Sequence, residues 1–356
     1  MKKVLFVAHV ESHILHFHIP YLKMFHEKGY KVHVATNGES DIPYCDVKHN
    51  LPFQKSPFKK DNYKAYKELK KILNEEKFEI IHCHTPVGGV VARLANRFSV
   101  NYKTTRMIYT AHGFHFYKGA PISYWMIFYP IERWLAHYTD TLITINQEDY
   151  DRASEFHLKK NGNVEFVHGV GVDEEKFNFI MSDEDKINFR KELGIEAEDF
   201  IMIFSAELNK NKNQIFLINA MKEIVKSNKN VKLLLPGKDL LNGEYQKIVK
   251  EENLCENIKF LGYRKDIPKL LKISDLAVSS SKREGLPVNL IEASICGLPL
   301  LVSDCRGNKE LGDVYKNKED FIRKVINCNL SLQIDWEKYS LKNVKSEYKN
   351  IYFKKE

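Results

Sequence analysis

With 356 residues the chain exceeds one ordinary core and fits two domains of roughly 150–180 residues each. Apolar residues at 43% and aromatics at 12% exclude a disordered chain, and a formal charge of +8 favours anionic partners: nucleic acid, acidic lipid headgroups or a diphosphate. Six scattered cysteines without a Cys-x-x-Cys spacing disfavour a zinc site or a disulfide framework and suit the reducing cytosol.

In chain order, Lys3 to Ala8 reads as a first strand; its apolar run is too short for a signal peptide. A polar loop carrying His9, His13, His16 and His18 leads to a helix from near Pro20 to Gly29, then a strand over Lys31 to Thr36. Eight lysines between Lys55 and Lys77 lie on a helix whose apolar positions include Tyr66, Leu69 and Leu73, a solvated face or one resting on anionic lipid. Strands follow over Glu79 to His82, Met107 to Ala111, Thr141 to Ile145 and Asn163 to Val167. Between them, Tyr124 to His137 reads as an aromatic helix pair or bent helix; its apolar core from Trp125 to Ile131, broken by Pro130, falls far short of the ~20 residues of a membrane span. Strands with helical spacers imply a parallel, doubly wound sheet, with ligands at the strands' carboxyl ends, where His9, Cys83, His84 and His112 fall.

After Gly169-Val170-Gly171-Val172-Asp173 the polar stretch to Asp185 reads as a hinge region. A second alternation follows, with strands Phe200 to Ser205, Val231 to Pro236, Ile258 to Leu261, Leu276 to Ser279 and Leu300 to Ser303, and a helical tail over Ile334 to Phe353. The segment Ser280 to Pro299 reads as strand end, tight loop and helix: Pro287 suits a first helical position, Leu290, Ile291 and Ile295 form an apolar face, and Gly297 with Pro299 ends it. Glu284 in the loop and Glu292 over a turn into the helix frame an N-terminus whose unpaired amides suit a phosphate.

These halves, with Thr110-Ala111-His112-Gly113-Phe114-His115-Phe116-Tyr117, Asn211-Lys212-Asn213, Gly262-Tyr263-Arg264-Lys265-Asp266-Ile267 and the Glu284-x7-Glu292 spacing, resemble the retaining glycosyltransferases of family four, over nearly the whole length. The resemblance implies an α/β chain with two Rossmann-like doubly wound domains facing a cleft, the GT-B architecture. Residues 1–175 would form an acceptor domain, 176–333 a nucleotide-sugar donor domain, and 334–356 a helix packing back on the first. The opening Ala8 to Leu15 and His112 to His115 look like the subgroup that builds bacterial surface polysaccharides, moving a hexose or N-acetylhexosamine from a UDP-sugar to an undecaprenyl-diphosphate-linked saccharide in capsule, exopolysaccharide or O-antigen synthesis. The expected setting is cytoplasmic, peripheral to the inner face of the cell membrane, with no nucleic-acid partner.

By the same resemblance, Lys212 reaches the diphosphate together with amides near Gly285, Leu286 and Val288, Glu284 accepts hydroxyls of the donor sugar, Glu292 holds the ribose diol, Tyr263 and Arg264 line the base pocket, and His112 approaches the reacting carbon. No cofactor or metal is expected. Two departures stand out: Ala206-Glu207 occupies the usual Gly-Arg pair, removing a phosphate-binding arginine, so that either Lys212 suffices, with compensation from Arg264 or Arg283, or the donor site is weaker than usual; and Lys309 to Asp320 lacks a Gly-Gly segment. The alternatives are a UDP-sugar epimerase of the same architecture and a non-catalytic partner subunit. Dinucleotide oxidoreduction is disfavoured, because neither half has Gly-x-Gly-x-x-Gly after its first strand.

Overall fold

The computed structural model describes residues 1–327, 330 and 334–353; Cys328, the expected boundary at 333 and residues 354–356 lie outside them. The chain divides into two compact units, Met1–Gly171 with the chain from Lys342 onward, and Val172–Leu341.

The first unit runs β1 (Lys3–Val7), α1 (Glu11–Phe17), α2 (Ile19–Glu27), β2 (Lys31–Thr36), β3 (Val47–Asn50), α3 (Lys60–Glu75), β4 (Ile80–His84), α4 (Pro86–Arg97), β5 (Arg106–Ala111), α5 (Ile122–Ala136), β6 (Thr141–Thr144), α6 (Gln147–Ala153) and β7 (Asn163–Phe166). The strands pair in the order β3-β2-β1-β4-β5-β6-β7, all parallel. Order reverses between β1 and β4, which opens a crevice at their carboxyl ends. One sheet face packs Leu69, Leu73, Val91, Ala95 and Ala136 from α3, α4 and α5; the other packs Tyr21, Leu22 and Phe25 from α2.

The second unit runs α7 (Asp183–Glu192), β8 (Phe200–Ile203), α8 (Gln214–Ser227), β9 (Val231–Pro236), α9 (Glu244–Glu251), β10 (Ile258–Gly262), α10 (Ile267–Lys272), β11 (Leu276–Ser279), α11 (Val288–Ile295), β12 (Leu300–Ser303), β13 (Asp313–Tyr315) and α12 (Lys318–Asn327). Its parallel order, β10-β9-β8-β11-β12-β13, reverses between β8 and β11. The last helix, α13 (Leu341–Phe353), returns to the first unit, where Tyr348 and Tyr352 stack near Tyr21 and Phe25 and the Tyr352 hydroxyl meets His82 Nδ1 at 2.7 Å.

Several local readings differ from the structure. The histidine-bearing loop after β1 is largely helix α1, and the hinge region ends in α7, whose N-cap Ser182 accepts from the Asp185 amide. Strands β3 and β13, four and three residues long, carry too little alternation to be read. Residues 172–175 and 334–341 belong to the second unit, because Val172 bridges Ser340 and its amide donates to Tyr339 at 2.9 Å. Pro130 sits inside a single continuous α5.

Candidate functional site

In the second unit, the loops that leave β8 and β11 meet at the point where strand order reverses. Asn209 Oδ1 accepts from the amides of Asn211 and Lys212 at 3.0 and 2.9 Å, an Asx turn that fixes the approach to α8. The loop is then stitched to its neighbour: Lys282 N donates to Asn211 O at 2.8 Å, Ser280 Oγ to Lys212 O at 2.9 Å, and Asn211 Nδ2 to Arg283 O at 3.0 Å. These bonds aim Lys212 at Glu284, with Nζ and Oε1 2.6 Å apart. The loop after β12 joins from the other side, where the buried Arg306 donates from Nε to Glu284 O at 3.1 Å. Gly307, at φ +81, permits that approach; a Cβ there would come within 2.6 Å of Gly285 O.

Helix α11 starts at Val288 with Pro287 as N-cap, and no side chain caps it. Its first amides are therefore free of side-chain acceptors and available to an anion. Glu292 sits one turn in; burial of its carboxyl raises its pKa to about 7, with Lys176 opposing weakly. Lys212, near the start of α8, is paired with the Glu284 carboxylate, and the uncapped α11 amides add main-chain donors to this corner. Glu207, exposed, uses its main-chain oxygen to accept from Gln214 Nε2 at 2.9 Å.

Of the expected donor-site residues, Lys212 and Glu284 are thus bonded to each other, with Gly285, Leu286, Val288 and Glu292 continuing along the same loop and helix. Tyr263 and Arg264 lie beyond β10, on the strand at the opposite sheet edge from β13. Tyr263 is 75% exposed, and Arg264 is held by a fork onto Asp266, at 2.8 Å for Nε and 2.5 Å for Nη2. Arg306, three residues past the end of β12, lies beside Glu284, a neighbour that no local pattern in the sequence points to.

The first unit carries a second constellation at its own reversal point. His84 ends β4, His112 follows β5, and α1 with its C-cap supplies His13 and His18. His13 Nε2 and His84 Nδ1 lie 3.2 and 3.3 Å from His112 Nε2, and the His18 and His84 rings stack at 3.8 Å. Burial pushes His112 down to about 4, and burial first, then neighbouring imidazoles, hold His13, His18 and His84 well below the usual histidine range. Strand alternation turns His82 and His84 to this side while Cys83 enters the opposite core. Thr85, at φ 63, marks backbone strain beside His84, and Gly88 permits the close packing of the α4 start on Ala8 and His9.

On the other sheet face a cavity of about 370 Å³ opens between α3, α4 and α5, lined by Phe58, Val90, Phe114, Phe128 and Ile131, with Lys55 and His115 among its polar residues. At its floor Arg93 and Glu132 pair at 2.8 Å, and Tyr109 Oη donates to Glu132 at 3.3 Å. From α5, Ile122, Met126 and Trp134 face solvent. Among the described residues no helix is long and apolar enough to cross a membrane.

Comparison with known proteins bears on what these constellations serve. Residues 185–321 match the family described as Glycosyl transferases group 1, and residues 3–146 match Glycosyl transferase 4-like. The chain is 41% identical to the "Putative glycosyltransferase EpsD" of Bacillus subtilis over 324 residues, 91% of this chain and 84% of that protein. It is 30% identical to the UDP-Gal:alpha-D-GlcNAc-diphosphoundecaprenol alpha-1,3-galactosyltransferase of Escherichia coli over 72% of this chain and 65% of that protein. The solved structure of Anabaena Alr3699/HepE in complex with UDP and glucose shares the fold, with a TM-score of 0.72 at 18% identity over 98% of this chain and 95% of that one. The chain belongs to the glycosyltransferases of GT-B fold, built from two Rossmann-like α/β domains.

Proposed function

We propose that the protein is a retaining transferase that moves a hexose or N-acetylhexosamine from a UDP-sugar to a lipid-diphosphate-linked saccharide, in synthesis of a capsule, exopolysaccharide or O-antigen. One observation carries this reading: Lys212 and Glu284 are bonded beside the uncapped start of α11, with Glu292 one turn in. When the bond from the anomeric carbon to the diphosphate breaks, negative charge grows on the leaving phosphate. A fixed ammonium and main-chain amides stabilise that charge without reorganising, an effect worth roughly 3 kcal/mol per donor. Lys212 and the amides of Gly285, Leu286 and Val288 take that role, Glu284 holds sugar hydroxyls, and Glu292 holds the ribose. Tyr263 and Arg264 are assigned to the base, and His112 to the donor sugar. No metal or cofactor enters the transfer step.

The second unit is the donor half in this reading and the first the acceptor half. The apolar cavity and the exposed α5 residues suit a lipid-linked acceptor, and the lysines of α3 suit the anionic inner leaflet of the cell membrane, on its cytoplasmic face. Transferase names among the relatives speak against the epimerase alternative. The test is release of UDP from a panel of UDP-sugars, with undecaprenyl-like diphosphosaccharides as acceptors. Turnover that requires both substrates and falls in Glu284→Ala and His112→Ala supports the reading; full transfer by both variants sinks it.

A further inference from the structure

We propose that His13, His18, His84 and His112 form a binding site for one divalent transition-metal ion of the zinc class. One ring nitrogen from each of the four lies within 4.8 Å of every other. Zinc binds imidazole nitrogen at about 2.0–2.1 Å, so adjacent corners of a tetrahedral site stand about 3.3 Å apart. The His13–His112 and His84–His112 pairs already stand at 3.2 and 3.3 Å.

The hydrogen-bond count makes the same point independently. A neutral imidazole carries one N–H donor and one acceptor. His18 is 1% exposed, yet neither of its nitrogens has a partner; His84 is fully buried, and its Nε2 has none. Unpaired buried groups of this kind cost about 1–3 kcal/mol each and are rare in folded proteins. A metal ion gives a lone pair of His18 a partner; at His84 the nitrogen beside His112 is Nδ1, so Nε2 there stays outside the site. Neighbouring His82 behaves differently: its nitrogens meet Tyr352 Oη at 2.7 Å and Thr110 Oγ1 at 2.8 Å, and it takes no part in the cluster. His18 and His84 are buried, while His13 and His112 are partly exposed and leave an entry path. Four imidazoles without a carboxylate or thiolate suit zinc, copper or nickel and disfavour magnesium or calcium.

Sequence spacing alone missed the site. His9, His13, His16 and His18, read on one loop, offer no closed pattern; the fold discards two of them and supplies the other corners from the ends of β4 and β5.

His112 also belongs to the proposed transfer site, so the test reads the metal directly and not turnover. The intact protein, stripped with a chelator, is loaded with zinc chloride, desalted and measured by elemental mass spectrometry; cobalt loading gives a visible spectrum that reports geometry. One zinc per chain and an intense tetrahedral cobalt spectrum are expected. At least tenfold weaker zinc binding is expected in His13→Ala, at a partly exposed position, and in His84→Gln, with folding of each followed by circular dichroism. The His33→Ala, His49→Ala double variant removes the other close histidine pair, at 3.0 Å, and keeps the zinc. Folded wild-type protein retaining less than a tenth of an equivalent, or wild-type affinity in a folded His13→Ala variant, overturns the proposal. So does loss of the metal in the His33, His49 control.

Discussion

Lys212 Nζ stands 2.6 Å from Glu284 Oε1, so the lysine assigned to a diphosphate and the glutamate assigned to a sugar hold each other. A bound diphosphate competes for the lysine and releases the carboxylate for hydroxyl groups. Lys212→Ala is therefore expected to weaken UDP binding at least tenfold and to lower kcat/KM by roughly a hundredfold, the scale of one lost charge-stabilising donor. Glu284→Gln separates the two roles: UDP alone binds more tightly by calorimetry, because Lys212 loses its competitor, while transfer falls. Weaker UDP binding in Glu284→Gln would contradict this division.

Glu292 provides a pH test. Its carboxyl is raised from the usual range to about 7 by burial, so the folded state holds the proton more tightly than the unfolded chain. Stability from this group is fully present below the ordinary carboxyl value and is lost as pH rises through about 7. Glu292→Gln should remove that loss, gaining on the order of 3 kcal/mol relative to wild type well above pH 7 in urea unfolding, with no gain at pH 4. Ribose hydroxyls donate best to the ionised form, so UDP affinity should rise with pH through the same window in wild type and stay flat in the variant.

The Arg93–Glu132 pair lies at the floor of the apolar cavity, with Arg93 Nε also donating to Gly89 O at 2.9 Å. Breaking such a pair strands a buried charge, and Arg93→Ala should cost roughly 3–5 kcal/mol in chemical denaturation. Replacing both charges, Arg93→Met with Glu132→Leu, should recover most of that loss. A double variant as unstable as the single one would show that the Gly89 and Tyr109 contacts, and not the charge pair, hold this region.

Exposed Ile122 and Met126 on α5 are expected to insert among lipid headgroups, aided by the α3 lysines. Vesicles containing an anionic lipid should co-sediment wild-type protein, and Ile122→Asp with Met126→Asp should abolish this while leaving circular dichroism unchanged. High salt should weaken the interaction, because the lysine contribution is screened.

Much of this architecture is legible in the chain. Mostly buried parallel strands such as Val231–Pro236, Leu276–Ser279 and Leu300–Ser303 are short, largely apolar runs, interrupted in the first by Lys232 and ending on a serine in the other two, and their limits follow from composition. Short edge strands bury fewer side chains, so β3 and β13 leave no such trace. At the candidate site, Glu284, Glu292 and Lys212 were visible as a pattern, but their bonding depends on two loops meeting across the β8–β11 reversal. Arg306 and the His18–His84 contact depend wholly on strand order, which local patterning does not specify.

The return of α13 to the first sheet has a consequence for synthesis. Tyr348 and Tyr352 close the core formed by Tyr21, Phe25 and His82, so the amino-terminal half leaves the ribosome with an unsealed apolar face. The second unit is continuous in sequence and has all its residues by Leu341. The half made first is thus finished last, and until the final helix emerges its exposed surface is the stage at which a chaperone has most to offer.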